Sequence, residues 1–211
     1  MKSTLINIVA VLFGITLVSS AAVGVVNLIT EEPIAEAKAK ATVEALSNVL
    51  PEFEQTAKSD LTIDELPIAV YTATASGEIV GYAVETLTKA GFGGTVKMMV
   101  GFLPSGEVNN VNVLEQAETP GLGTKMCDEG NPLLASFRGK NPADMKMAVK
   151  KDGGDVDALT AATISSRAYV DAMARAYAAL VEIRDGEIAA ETASGATYNE
   201  GQQTQEGEEN E

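Results

Sequence analysis

Residues 157–166 have the sequence Asp-Ala-Leu-Thr-Ala-Ala-Thr-Ile-Ser-Ser and lie between a turn and an amphipathic helix. The preceding residues, Lys151-Asp152-Gly153-Gly154, are typical of a turn. Downstream, apolar residues recur every three or four positions, which predicts a buried helical face made by Val170, Met173, Tyr177, Leu180 and Val181. The stretch is therefore predicted to be a loop that leads into a helix N-terminus. Free amides and the helix dipole favour an anion such as phosphate there. Ser and Thr are also ordinary N-cap residues, so the spacing alone favours a capped helix without a ligand.

Residues 157–165 resemble the flavinylation motif of FMN-binding domains, Asp-x-x-(Ser/Thr)-(Gly/Ala)-Ala-Thr-x-(Ser/Thr). The positions of this chain that match the motif are Asp157, Thr160, Ala161, Ala162, Thr163 and Ser165. In that family the Thr of the Ala-Thr pair carries FMN through a phosphoester bond. The resemblance therefore implies covalent FMN on Thr163, with Thr160, Ala161, Ala162 and Ser165 around it.

A second segment, Glu118-Thr119-Pro120-Gly121-Leu122-Gly123, resembles the Glu-Thr-Pro-Gly-Leu-Gly of the same family. The resemblance implies that Glu118, Thr119, Gly121, Leu122 and Gly123 also bind the cofactor. Pro120 fixes the backbone φ angle, and the two glycines allow the backbone to approach a flat isoalloxazine ring. The glycine cluster of residues 91–94 lacks the spacing of a phosphate-binding P-loop and is typical of a turn. The resemblance suggests that this region approaches the cofactor.

The family carries this domain in the G subunit of the Rnf electron transport complex and in the C subunit of the Na+-translocating NADH:quinone reductase. The resemblance extends from the N-terminal segment to about Ile183. It implies an electron-carrying subunit that works with other complex subunits and that receives FMN from a separate flavin transferase. The compact length favours the Rnf complex, which passes electrons between ferredoxin and NAD and couples this to cation transport. Three alternatives stay open: the quinone reductase subunit, a flavin-free anchored binding module and a stand-alone flavin reductase domain.

The composition excludes several functional classes. The chain has 211 residues and a net charge of −15, whereas nucleic-acid binding needs clustered Lys and Arg. It has no His, which excludes Ser-His-Asp, Cys-His and His-metal sites. Its single cysteine, Cys127, cannot form an intrachain disulfide and makes a poor metal site. We therefore expect no metal site and no catalytic residue of its own, as befits an electron relay rather than an enzyme with a complete active site.

The segment from Leu5 to Ile29 contains no charged residue. As a helix it would span roughly 37 Å, enough for a bilayer core of roughly 30 Å. A signal peptide cleaved near Ser20-Ala21-Ala22 is the competing interpretation, but the apolar run is longer than a signal peptide needs. We expect a single-pass anchor in the bacterial cytoplasmic membrane. The resemblance implies that the soluble domain lies on the extracytosolic side.

The residue pattern predicts four segments: an anchor over residues 1–30, a helical spacer over 31–60, a folded domain over 61–190 and an acidic disordered tail over 191–211. The resemblance implies that the third segment is the FMN-binding domain. In the spacer, apolar spacing predicts a helix that Pro51 limits. The tail cannot bury enough apolar surface to order itself.

Within the predicted domain, β-forming residues alternate with turn residues. We expect strands over residues 68–74, 79–86, 95–102 and 108–116, a short helix over 131–139 and a short strand over 145–150. The short linkers between the first four strands require antiparallel pairing. The predicted fold class is therefore α+β, with an antiparallel sheet flanked by helices and preceded by one transmembrane helix.

Overall fold

The computed structural model describes the backbone of residues 2–199 and the side chains of residues 6–186. The chain divides into two compact units, residues 1–44 and 45–211. Its main elements are α1 (Lys2–Val49), β1 (Gln55–Ile63), β2 (Leu66–Ala75), β3 (Glu78–Thr88), β4 (Val96–Phe102), β5 (Val108–Glu115), α2 (Pro132–Phe137) and α3 (Thr163–Asn199).

Helix α1 joins the predicted anchor and the predicted spacer helix into one element. Its most apolar 18-residue window has a mean hydropathy of 2.4, and none of that window is buried. The helix is thus long and apolar enough to cross a membrane, although a signal sequence shares these properties. It ends at Val49, two residues before Pro51, as the conformational restriction before proline predicts.

The five strands form one antiparallel sheet with the order β1-β2-β3-β4-β5. This confirms the predicted α+β class, but strand β1 was not predicted. It begins at Gln55, inside the predicted spacer of residues 31–60. Strand β1 lies at the sheet edge and most of its side chains are exposed, so its sequence shows little apolar alternation. Its turn to β2 uses Asp64 and Glu65 at positive φ instead of glycine, which removes the usual hairpin signal.

One face of the sheet packs against helix α3. The helix contributes fully buried Ala172, Ala176 and Ala179, whose small side chains allow close approach to the strands. Val170, Met173 and Leu180 are buried as the spacing predicted, and Tyr177 is partly buried. Val181 is exposed, so its assignment to the buried face was wrong. The periodicity pointed to the larger apolar side chains, whereas the alanines form the centre of the interface.

The other face of the sheet is covered by residues 45–50, where the end of α1 packs on Ala73, Ala83 and Met99. The α1 backbone lies so close to Gly101 that a Cβ atom at that position would be 1.9 Å from the carbonyl oxygen of Val49. Two side chains of β5 bind the last carbonyls of the helix. Asn109 donates to Val49 at 2.8 Å, and Asn110 donates to Asn48 at 2.9 Å. These bonds satisfy carbonyls that a helix end leaves without partners.

The chain between β5 and α3 is largely irregular. The predicted short helix is confirmed as α2, in which Leu133, Leu134 and Phe137 are buried. The predicted strand over residues 145–150 was wrong, because Val149 forms only an isolated bridge to Val156. Backbone hydrogen bonds with residues 154–156 curl the segment into a loop instead.

The predicted tail over residues 191–211 lies partly in helix α3, which continues to Asn199. Residues 200–211 lie outside the described residues, so the predicted disorder stays a prediction.

We expect Gly101→Ala to lower the free energy of unfolding by about 1–3 kcal/mol, because the added methyl group would push against the α1 backbone. In a domain of this size each kcal/mol corresponds to about 2–4 °C in Tm. Thermal unfolding of the full chain in detergent, followed by circular dichroism, measures the change.

The matched control is Gly186→Ala, since Gly186 lies in α3 and the added methyl would have no atom within 4 Å apart from those of its chain neighbours and its own stretch of helix backbone. That variant should keep the Tm or raise it slightly through helix propensity. An unchanged Tm in Gly101→Ala would contradict the close packing of α1 on the sheet.

Candidate cofactor site at the start of helix α3

A tight turn over residues 159–162 leads directly into helix α3, which begins at Thr163. Ala161 has a φ of 59°, in the left-handed region that favours glycine. The fully buried Ser166 fixes the turn from the helix side. Its Oγ accepts from the amide of Leu159 and donates to the carbonyl of Ala162, both at 2.9 Å. These contacts hold the backbone on both sides of Ala161 and present Thr163 at the first helical position.

A cavity of about 300 Å³ lies against this helix start. It is lined by residues from three separate segments of the chain: Phe92, Thr119, Leu122, Gly123, Ala161, Ala162, Thr163, Ile164 and Ser165. Its volume is at the lower end of the range for ligand pockets. The structure therefore brings together seven of the ten predicted site residues at one concave surface.

Three predicted site residues do not line this cavity. Thr160 is exposed in the turn before Thr163. Gly121 is also exposed. Its φ of 74° and the hydrogen bond that its amide donates to the Thr124 hydroxyl, at 2.9 Å, fix the shape of the second loop. Glu118 is buried behind the cavity wall. These residues shape the site or lie beside it.

Glu118 holds the three segments together. Its Oε2 accepts a hydrogen bond from the Ser165 hydroxyl at 2.5 Å, and its Oε1 accepts from the amide of Gly93 at 3.1 Å. Gly123 lies so close that a Cβ atom there would be 2.7 Å from both Glu118 Oε2 and Ser165 Oγ. Because the Ser165 proton is directed to Glu118, this hydroxyl does not donate into the cavity.

Phe92, Ile164 and Ser166 were not among the predicted site residues, although the resemblance suggested that residues 91–94 approach the cofactor. Phe92 follows the glycine of a turn, and its side chain is 67% exposed at the cavity. The glycine cluster around it was the available signal. Ile164 occupies a variable position of the motif and is 47% exposed. Ser166 follows the last motif position, so the motif did not indicate that its hydroxyl fixes the turn through two hydrogen bonds.

An ion-pair network around the buried Arg175 positions the segment that leads to Phe92. The guanidinium of Arg175 in α3 donates to the Leu87 carbonyl at 3.0 Å and to Asp171. Asp171 also accepts a 2.6 Å hydrogen bond from Thr88, whose hydroxyl in turn accepts from the amide of Ala90. The end of β3 is thus tied to α3 shortly before Phe92.

The chemistry of the cavity suits a planar, largely apolar group that carries a phosphate. Phe92, Leu122 and Ile164 supply exposed apolar surface, and Leu122 is 39% exposed. The amides of Thr163 and Ile164 are at the helix start, where no earlier turn of the α-helix supplies a carbonyl acceptor. None of the described residues that line the cavity is Lys or Arg, so an anion would be stabilised by these amides and by the helix dipole.

The nearest cation along the helix is already engaged. The guanidinium of Arg167 donates two hydrogen bonds of 2.7 Å to Asp152, and they lower the pKa of that carboxyl. Arg167 is therefore directed to the turn that precedes the motif.

A second cavity, of about 350 Å³, lies beside strand β5 and contains none of the motif residues. It includes Cys127, a free and exposed thiol. Partial desolvation and the neighbouring Asp128 carboxylate raise the pKa of this thiol. The raised pKa disfavours the thiolate, which is the reactive form of cysteine.

Comparison with known proteins identifies the family. Residues 91–178 match the FMN-binding domain. The chain is 34% identical to the G subunit of the ion-translocating oxidoreductase complex of Shewanella baltica, over 83% of this chain and 89% of the relative. The chain belongs to this family of G subunits. Relatives of the same name from Photorhabdus laumondii and Aliivibrio fischeri are 35% and 31% identical, over 77% and 81% of this chain and 86% of each relative.

In this member of the G-subunit family, the match to the FMN-binding domain begins at Gly91 and ends at Ala178. It therefore includes all three segments that meet at the cavity. It excludes β1, β2 and β3, which form the rest of the sheet.

We expect Ala161→Gly to stabilise the protein by up to about 1 kcal/mol, because the left-handed conformation costs an L-residue about 1–2 kcal/mol, which exceeds the extra chain entropy of about 0.5–1 kcal/mol that glycine loses on folding. The matched control is the neighbouring Ala162→Gly. Ala162 is 8% exposed and its φ is not positive, so this change should lower stability by a similar amount. Thermal unfolding of both variants checks the opposite signs, and equal shifts would contradict the turn geometry.

Proposed function

We propose that this chain is an electron-relay subunit of an Rnf-type ion-translocating oxidoreductase complex and carries FMN joined to Thr163 by a phosphoester bond. The observation that carries the proposal is the position of Thr163, half-buried at the first residue of α3 and in the wall of the cavity. The relatives from ion-translocating oxidoreductase complexes favour this complex over the quinone reductase that the motifs left open.

The residues of the cavity suit this cofactor in three ways. The N-terminal amides of α3 would bind the phosphate next to its attachment point, with the helix dipole favouring the charge. Phe92, Leu122 and Ile164 would contact the ring system, since all three side chains are exposed at the cavity. The bound flavin supplies the electron-transfer chemistry, while this chain holds and orients it.

The same arrangement does not provide a way for Thr163 to attach FMN by itself. An alkyl hydroxyl is a weak nucleophile without an adjacent base, and the chain has no His. We therefore infer that a separate flavin transferase attaches FMN, as the family resemblance implies. The partial exposure of Thr163 and the exposure of Thr160 and Ala161 leave this loop accessible to such an enzyme.

Helix α1 would anchor the subunit in the cytoplasmic membrane as a single span. In this proposal the FMN-binding domain lies on the extracytosolic side, next to the other subunits of the complex. A flavin that is tethered to an anchored domain suits electron relay over short distances and requires no substrate pocket.

The Thr163→Ala variant should insert and fold normally but carry no covalent FMN, because the phosphoester loses its oxygen. Denatured protein from the native membrane, separated on a gel and viewed under ultraviolet light, should be fluorescent for the wild type and dark for the variant. The mass of the peptide that spans Asp157 to Arg167 should show FMN in the wild type alone.

The matched control is Thr160→Ala, which removes a hydroxyl three residues earlier in the same turn and leaves Thr163 intact. This variant should keep covalent flavin. Flavin retained in Thr163→Ala but lost in Thr160→Ala would shift the attachment site to Thr160. An unmodified wild-type peptide, from cells that flavinylate other proteins, would refute the flavin proposal.

A further inference from the structure

Glu118 is an unusual side chain for its position. Among residues 6–186, it is the only buried acidic side chain, with 4% exposure. The buried cation in that range, Arg175, is bound to Asp171, Asp64 and Leu87 and not to Glu118. Ion pairs among the described residues likewise do not include Glu118. Its carboxylate is therefore balanced by hydrogen bonds and by the start of α3, not by a cation.

The carboxylate lies directly behind the cavity wall. Its Oε2 is 2.5 Å from the Oγ of Ser165, and Ser165 lines the cavity. Gly123, another lining residue, would place a Cβ atom 2.7 Å from the same Oε2. Glycine at this position thus lets the carboxylate approach the cavity as closely as the backbone permits. On the other side, Glu118 Oε1 lies 2.6 Å from the Cβ position of Gly91 and accepts from Gly93.

We propose that Glu118 is a positioning residue that fixes the cavity wall and lowers the reduction potential of the flavin held there. The inference rests on the proposed attachment of FMN at Thr163. Each electron that a redox partner would pass to the flavin without an accompanying proton would add one negative charge beside the carboxylate. Water screens charges at a buried site far less than at the surface, so the repulsion opposes reduction.

The hydrogen bonds of Glu118 identify the substitution that separates its charge from its structural role. In Glu118→Gln, the amide oxygen can still accept from Gly93, and the amide nitrogen can donate to the Ser165 Oγ. The shape and both contacts are kept, while the negative charge is removed. The exposed Glu107 lies before β5, at the opposite end of that strand from Glu118. Glu107→Gln therefore removes the same net charge far from the cavity and serves as the control.

The test is a redox titration of the flavinylated full-length protein in detergent, followed by flavin absorbance. We expect the midpoint potential of Glu118→Gln to be more positive than that of the wild type, and the potential of Glu107→Gln to be unchanged. An unchanged or more negative potential in Glu118→Gln would overturn the inference. An equal positive shift in both variants would also overturn it, since net charge alone would then explain the effect.

A second variant decides the case in which Glu118→Gln takes up no flavin. Ser165→Ala keeps the carboxylate but removes one of its two hydrogen-bond donors, so its charge is less screened. The midpoint potential should become more negative, and an unchanged potential would overturn the inference. A wild-type protein without covalent flavin would instead refute the proposed function, so the two failures are distinguishable.

Discussion

The packing of helix α3 on the sheet determines where the start of that helix meets the other segments of the site. Ala172, Ala176 and Ala179 are fully buried, which lets the helix axis approach strands β3 and β4. Larger side chains at these positions would require the helix to move away, because protein interiors have little free volume. The helix start moves with the helix, so this close packing also sets where Thr163 meets the cavity.

At the cavity itself, glycines allow the chain segments to approach one another closely, as the alanines do between helix α3 and the sheet. Segments that are distant in the sequence meet around the Glu118 side chain, at glycines whose Cβ would collide with a neighbour. The collisions involve the Ala117 carbonyl at Gly93, at 1.8 Å, and the Glu118 carboxylate at Gly91 and Gly123. The buried carboxylate acts as a common acceptor for these segments. Such a group is costly to bury unless it is hydrogen-bonded, which explains why its two oxygens each have a donor.

The electrostatic character of the site follows from this construction. The chain is strongly acidic, and none of the described residues that line the cavity is Lys or Arg. An anion at this position would depend on the amides of the first turn of α3 and on its dipole. A carboxylate lies behind the wall, at the same helix end, and competes for that positive potential. In the proposed function, the helix start would hold the phosphate, while the carboxylate would disfavour further negative charge beside it.

The sequence by itself determined the order of most elements, the antiparallel pairing and the two motif segments. These features are local: hydropathy marks the apolar helix, turn residues separate the strands, and short linkers leave only antiparallel neighbours. The sequence did not reveal β1, whose exposed edge position and glycine-free turn carry no local signal. It also suggested a strand over residues 145–150, where β-forming residues have no neighbouring strand with which to pair.

Only the tertiary structure decided which motif residues share the cavity. Glu118 and Ser165 belong to different motifs, and the fold brings their side chains into contact across 47 residues of sequence. It also brought Phe92 to the cavity and placed the Ser166 hydroxyl where it fixes the turn by hydrogen bonds. Contacts between distant segments depend on how closely helix α3 packs against the sheet. No local pattern of residues encodes the distance between the helix and the sheet.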